Sequence, residues 1–220
     1  MLLSNIKNLI QPNSVILDIG ANIGFYSLFF SKFISNKGLV IAFEPDETNF
    51  THLQASTKNI ENIQIFKYAI SDSTDEINLY LSNKMNVDHH TYDDGENRES
   101  IKVQSISIDD FLKIYYPQLT VDFIKIDIQG FDYFALLGMK KTILKTDNLV
   151  IVGEYWPYGL QMAKIDPLKY YNALIDLGFL VSFIPPMSIS EIVKKKNNPT
   201  FEVDFVAIKE SASFPKKMTV

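Results

Sequence analysis

The sequence predicts an α/β domain, a mostly parallel sheet covered by helices on both faces. Three observations predict it. Short apolar runs recur along the chain, as strands buried on both sides require. Segments of helical period separate most of them, which parallel connections need. The first run, "SVILDIG" (14–20), ends in an acid and a glycine turn ahead of a helix, the place where open α/β sheets bind ligands.

"SVILDIG" therefore reads as the first central strand and "NIGFYSLFFSKFI" (22–34) as its helix. "GLVIAFEP" (38–45) is the second strand, stopped by Pro45, and "DETNFTHLQASTKN" (46–59) a helix with Asp46 as N-cap. "IQIFKYAI" (63–70) is the third strand. The rhythm then breaks. "DEINLYLS" (75–82) and "SIKVQSISI" (100–108) alternate like exposed antiparallel strands around the polar "NKMNVDHHTYDDGENRE", a hairpin-like insertion over about 73–106. Regularity returns with a helix at 108–116, a strand at 121–128, a helix at 132–144 and a strand at 149–156. A helix at 166–178 follows, with Pro167 in the first turn where proline fits, then strands at 179–185 and 202–209. "SISEIVKKKNNPT" between them reads as a solvated loop, and "MLLSNIKNLIQPNS" at the start as a short amphipathic helix. With no internal repeat, 1–220 is expected to form one domain.

Composition narrows the function. The chain has no cysteine, which excludes a disulfide framework, a thiolate metal site and a cysteine nucleophile. A formal charge of −5 argues against a nucleic-acid backbone as partner. No apolar run reaches the roughly 18 residues of a bilayer span, and the start lacks the pattern of a secretory signal, so a cytoplasmic protein is expected. Nothing in the sequence indicates an oligomeric state.

Gly20 and Gly24 allow a tight turn and close approach to a ligand. A dinucleotide fingerprint would need a third glycine where Asn22 stands, so a pyrophosphate is disfavoured. Asp18 and Asn22 instead offer a carboxylate and an amide, suited to a cationic amino-acid group. Glu44 closes the second strand, where an acid can accept from both hydroxyls of a ribose. Asp72, in "AISD", is placed to meet an adenine amino group. Each has a plainer reading: Asp18 a helix-capping acid, Glu44 a surface acid, Asp72 an Asx-turn residue. At successive strand ends, the three together favour a nucleoside.

The chain resembles the FkbM-type methyltransferases, a branch of the S-adenosylmethionine-dependent enzymes with a Rossmann-like class I fold. The resemblance rests on "ILDIGANIGFYSLFF", "FEP", "AISD", "SIDDFL", "DFIKIDIQGFDYFALLGM" and "GEYWPYGL", and covers nearly the whole chain. It implies a seven-stranded sheet with an antiparallel last strand. It also implies S-adenosyl-L-methionine as cofactor, with Asp18, Gly20 and Asn22 facing its methionine part, Glu44 its ribose and Asp72 with the neighbouring backbone its adenine; Gly24 joins the cofactor site through its turn. Many members carry glutamate where Gln129 stands. The family's acceptors are typically hydroxyls of sugars, glycolipids or natural products, which implies a small-molecule or glycan partner here.

Transfer to a hydroxyl needs alignment and a proton acceptor. Asp127, at the end of the fourth main strand, is one candidate, and Lys125 alternates onto the same face, where the two can pair. His89 and His90 are others, since histidine suits a base near neutral pH. If the backbone is extended there, only one of the two rings faces an acceptor. "DHHTYDD" (His89, His90, Asp93, Asp94) has the composition of a divalent-metal site without a fixed spacing, so no metal is assigned. Glu154 and Trp156 could receive a sugar, the aromatic serving as its apolar face or else as core. Two other functions compete: a cofactor-binding module without catalysis, and a nucleotide-dependent oxidoreductase.

Overall fold

The computed structural model describes residues 6–82, 89–93, 95 and 97–209. A short 3-10 turn (Lys7–Leu9) leads into β1 (Val15–Ile19), α1 (Phe25–Ser31), β2 (Leu39–Phe43), α2 (Glu47–Thr57) and β3 (Ile63–Phe66). Then come β4 (Ala69–Ile70), β5 (Asp75–Tyr80), β6 (Ser100–Ile106), α3 (Ile108–Tyr115) and β7 (Phe123–Ile126). The rest is α4 (Asp132–Leu137), α5 (Lys140–Lys145), β8 (Val150–Tyr155), α6 (Pro157–Met162), α7 (Pro167–Asp176), β9 (Phe179–Ile184), α8 (Ile189–Lys194) and β10 (Val203–Lys209).

The main sheet has seven strands in the order β3-β2-β1-β7-β8-β10-β9. Its last strand runs antiparallel to both neighbours, as expected. The period of two within each run builds both cores. Leu17, Ile19, Ile124, Ile126 and Ile151 pack on one face, and Ile16, Phe123, Val150, Val152 and Phe30 of α1 on the other. Asp18 interrupts this pattern at 0% exposure. A buried acid without a cation would cost several kcal/mol, so its partners identify where polar chemistry is concentrated.

Several boundaries differ from the sequence expectation. The third strand is two pieces: β3 stays with β2, whereas β4 pairs with β6 in a second sheet ordered β4-β6-β5. The reason is that β2 ends at Phe43 ahead of Pro45, which leaves no edge to pair beyond Phe66. The helix expected over 132–144 breaks at Gly138, where an added Cβ would lie 2.0 Å from the Ser71 carbonyl oxygen. The loop expected at 188–200 contains α8, nucleated by a capping box between Ser188 and Glu191. At the start, the expected helix falls mostly on 1–5, outside the described residues; Ile6 is helical and runs into the 3-10 turn. Asp46 caps α2 as read, accepting from the Asn49 N–H.

Candidate functional site

β1 pairs β2 on one side and β7 on the other, so the sheet's switch point lies at its C-terminal end. The turn that follows is tied to β2: the N–H groups of Gly20 and Ala21 both donate to the Phe43 carbonyl, at 3.1 and 2.9 Å. Gly20 has φ +77, and a Cβ there would meet the Asp127 carbonyl oxygen at 2.0 Å. Asn22 also sits in the left-handed region, φ 51, and its N–H donates to Glu44 Oε2 at 2.9 Å. Gly24 then stands at the N-cap of α1.

Beneath this turn lies a buried charge cluster. Ser27 donates its hydroxyl to Asp18 Oδ2 at 2.6 Å. The Lys125 ammonium lies 3.5 Å from Asp18 Oδ1 and 3.5 Å from Asp127 Oδ2, and donates to the Gly20 carbonyl at 2.8 Å. Burial opposes that ammonium, but the Asp127 and Asp18 carboxylates outweigh it and hold the lysine above its ordinary value. Gln129 donates to Asp127 Oδ1 at 3.1 Å. The pairing of Lys125 with Asp127 matches their shared face; Asp18 as a second counter-ion was not anticipated.

Above the cluster opens a cleft of about 710 Å³, its mouth included, lined among others by Gly20, Asn22, Glu44, Asn49, Tyr68 and Asp127. Ala69, Ile70 and Leu79 form its far wall, and His89 and Gln129 also reach it. Asp18 and Gly24 do not line it; Asp18 Oδ2 accepts from Ser27, and Oδ1, 3.5 Å from the Lys125 ammonium, makes no hydrogen bond. Asp72 does not line it either; it is exposed and accepts from the Ser71 hydroxyl at 3.1 Å. Glu44 is 5% exposed, each of its oxygens accepting one backbone N–H, from Asn22 and from Asp46. One acceptor position per oxygen remains for a ligand.

The two histidines separate as an extended backbone requires. His89 lines the cleft, and its Nδ1 accepts from the Ser82 N–H at 3.0 Å. A neutral ring accepting there carries its proton on Nε2. His90 is buried, stacked on Tyr92 at 4.8 Å and 5.9 Å from Trp156. Neither His90 nor Trp156 lines the cleft, and the Trp156 indole covers Gly159 and donates to the Pro199 carbonyl at 3.0 Å. Asp94 lies outside the described residues, and among those residues no three His, Cys, Asp or Glu converge as metal ligands.

Glu154 stands outside the cleft lining, on an acidic edge with Asp204, its register partner, and Glu202. Burial first, then the charge of Asp127, pushes Glu154 up to about 8. Burial likewise raises Glu44 to about 7, and burial with the Asp127 charge raises Asp132 to about 7. These folded-state values exceed those of the unfolded chain. Their stabilising contribution is therefore complete below the ordinary carboxylate range and lost as pH rises through 7 to 8. The melting temperature of the ligand-free protein is expected to fall between about pH 5 and pH 8.5, and Glu154→Gln to flatten the upper part of that fall. Melting curves across that range check it; a rise would contradict the burial argument.

Sequence reading missed Asn49, Tyr68, Asp132 and Tyr26. Only Asn49 carried a local signal, standing three residues past a good N-cap and just after Glu44. The others come from elements whose meeting depends on the fold.

A methyltransferase FkbM domain model matches residues 18–163, which contain the glycine turn, Glu44 and the Lys125–Asp127 strand end. The chain belongs to the FkbM methyltransferase family. Its fold agrees. An FkbM methyltransferase from Methylobacillus flagellatus KT superposes with a TM-score of 0.59 at 15% identity, over 90% of this chain and 44% of that one. This FkbM-family chain thus spans less than half of that relative's length. An rRNA methylase from Streptococcus thermophilus gives 0.56 at 12% identity, covering 95% and 94%. An O-methyltransferase from Bacillus cereus, solved in complex with SAH, gives 0.56 at 13%, covering 95% and 79%. At such identities the likeness shows the fold alone. No curated protein matches by sequence. Among the described residues no helix is long and apolar enough to cross a membrane.

Proposed function

We propose that this FkbM-family chain transfers a methyl group from S-adenosyl-L-methionine to a hydroxyl of a saccharide, glycoconjugate or related small molecule. One observation carries the cofactor half. Glu44 is buried at the end of β2, fixed by two backbone N–H groups, and keeps one acceptor position on each oxygen toward the cleft. Such a carboxylate fits the two adjacent hydroxyls of a ribose. Gly20 and Asn22 then face the methionine part, and Ala69, Ile70 and Leu79 the adenine, with Asp72 outside that wall.

The cofactor, when bound, supplies an electrophilic methyl group. The chain supplies alignment and a place for the proton. Asp127 is the proton acceptor in this reading: it lines the cleft, its side chain is 31% exposed, and Lys125 and Gln129 fix its direction. His89 lines the same cleft, on the acceptor's side in this reading. Asp18 and Lys125 hold the turn from below, and Glu154 and Trp156, which do not line the cleft, have no part in this reading.

Calorimetric titration with S-adenosylhomocysteine tests the proposal. The wild type is expected to bind it and not NAD, and Glu44→Ala to bind roughly 10- to 100-fold more weakly, the loss of charge-assisted hydrogen bonds. Binding of NAD alone would overturn it. Radiolabelled methyl transfer to a panel of neutral glycosides and amines then separates oxygen from nitrogen acceptors and an enzyme from a silent module.

A further inference from the structure

The helix that follows the glycine turn sends two consecutive side chains to the buried charge cluster. Ser27 reaches Asp18. Tyr26, half-buried, lies under the Lys125 ammonium, 5.1 Å from the nitrogen to the ring centroid. Tyr26 packs in turn against Phe25 and Phe30, whose rings steady it at 5.4 and 5.9 Å.

The ammonium has three N–H groups. One makes a 2.8 Å bond to the Gly20 carbonyl; the Asp18 and Asp127 oxygens, at 3.5 Å, are loose partners. Two long ion pairs on either side do not by themselves keep the nitrogen against Gly20. An aromatic face does, because it attracts the cation while excluding water that would solvate it. We propose that Tyr26 is a positioning residue of the cofactor cleft: its ring holds the Lys125 ammonium against the Gly20 carbonyl, and so fixes the turn and Asp127 in the geometry ligand binding needs. The inference rests on the methyl-transfer reading for its ligand, though the clamp itself does not.

Two variants separate the clamp from simple packing. Tyr26→Phe keeps the aromatic face, and Tyr26→Leu keeps apolar bulk without it. The titratable groups acting on Lys125 are Asp18 of β1, Asp127 beyond β7 and Tyr26 of α1, with Glu44 at the end of β2. The first readout is NMR titration of labelled lysine side chains, with the Lys125 signal assigned by its loss in Lys125→Arg. Tyr26→Phe is expected to lower that titration only by the loss of the phenol's charge, and Tyr26→Leu to lower it further by the loss of the aromatic face as well. The second readout is S-adenosylhomocysteine affinity, unchanged in Tyr26→Phe and roughly tenfold weaker in Tyr26→Leu. A Tyr26→Leu protein that melts lower but matches Tyr26→Phe in both the Lys125 titration and the affinity would overturn the clamp. If the wild type fails to bind S-adenosylhomocysteine, the cofactor reading fails, and the lysine titration still decides on Tyr26.

Discussion

Lys125→Met is expected to lower the stability of the fold by about 3–5 kcal/mol, the cost of leaving a buried charge uncompensated. Methionine matches the volume of the lysine stem, so packing around it changes little. What changes is Asp18, at 0% exposure, which keeps only the Ser27 hydroxyl. The Gly20 carbonyl loses its donor in the same step. Urea unfolding of the single and double variants distinguishes this from a cavity effect. Adding Asp18→Asn to Lys125→Met should recover part of the loss, because Asp18→Asn removes the charge that Lys125→Met strands. An unaltered midpoint in Lys125→Met would show that the cluster does not support the turn.

Gly20→Ala is the second large effect. The added Cβ falls 2.0 Å from the Asp127 carbonyl oxygen, which is backbone and cannot swing aside. The residue also holds φ +77, a conformation that costs alanine roughly 1–2 kcal/mol even in open space. The ends of β1 and β7 must separate, although the Asp127 N–H is bonded to the Ile19 carbonyl at 3.1 Å. A loss above about 3 kcal/mol is expected, together with loss of S-adenosylhomocysteine binding. Thermal melting and the same titration measure both. A stable variant with unchanged affinity would show that β1 and β7 need not approach this closely.

Much of this was legible in the chain because strands buried on both faces leave long apolar runs. β1, β2, β7 and β8 declare themselves in that way, and Asp46 shows itself as a cap through local chemistry alone. α8 was hidden because its lysine-rich run resembles a solvated loop, and its capping box was overlooked. The split of β3 from β4 was hidden because a run of β-formers does not say which neighbour each residue will find.

The site divides along the same line. By itself the sequence determined the glycine turn, the acid ending β2 and the Lys125–Asp127 pair, since each follows from positions a few residues apart on one strand or turn. Tertiary structure alone decided that Asp18 is buried against Lys125 and off the cleft lining, that His89 lines the cleft while His90 stacks on Tyr92, and that Tyr26 sits under Lys125. These are contacts between elements far apart in the chain, and their distances are set by how the sheet and its helices close around one another.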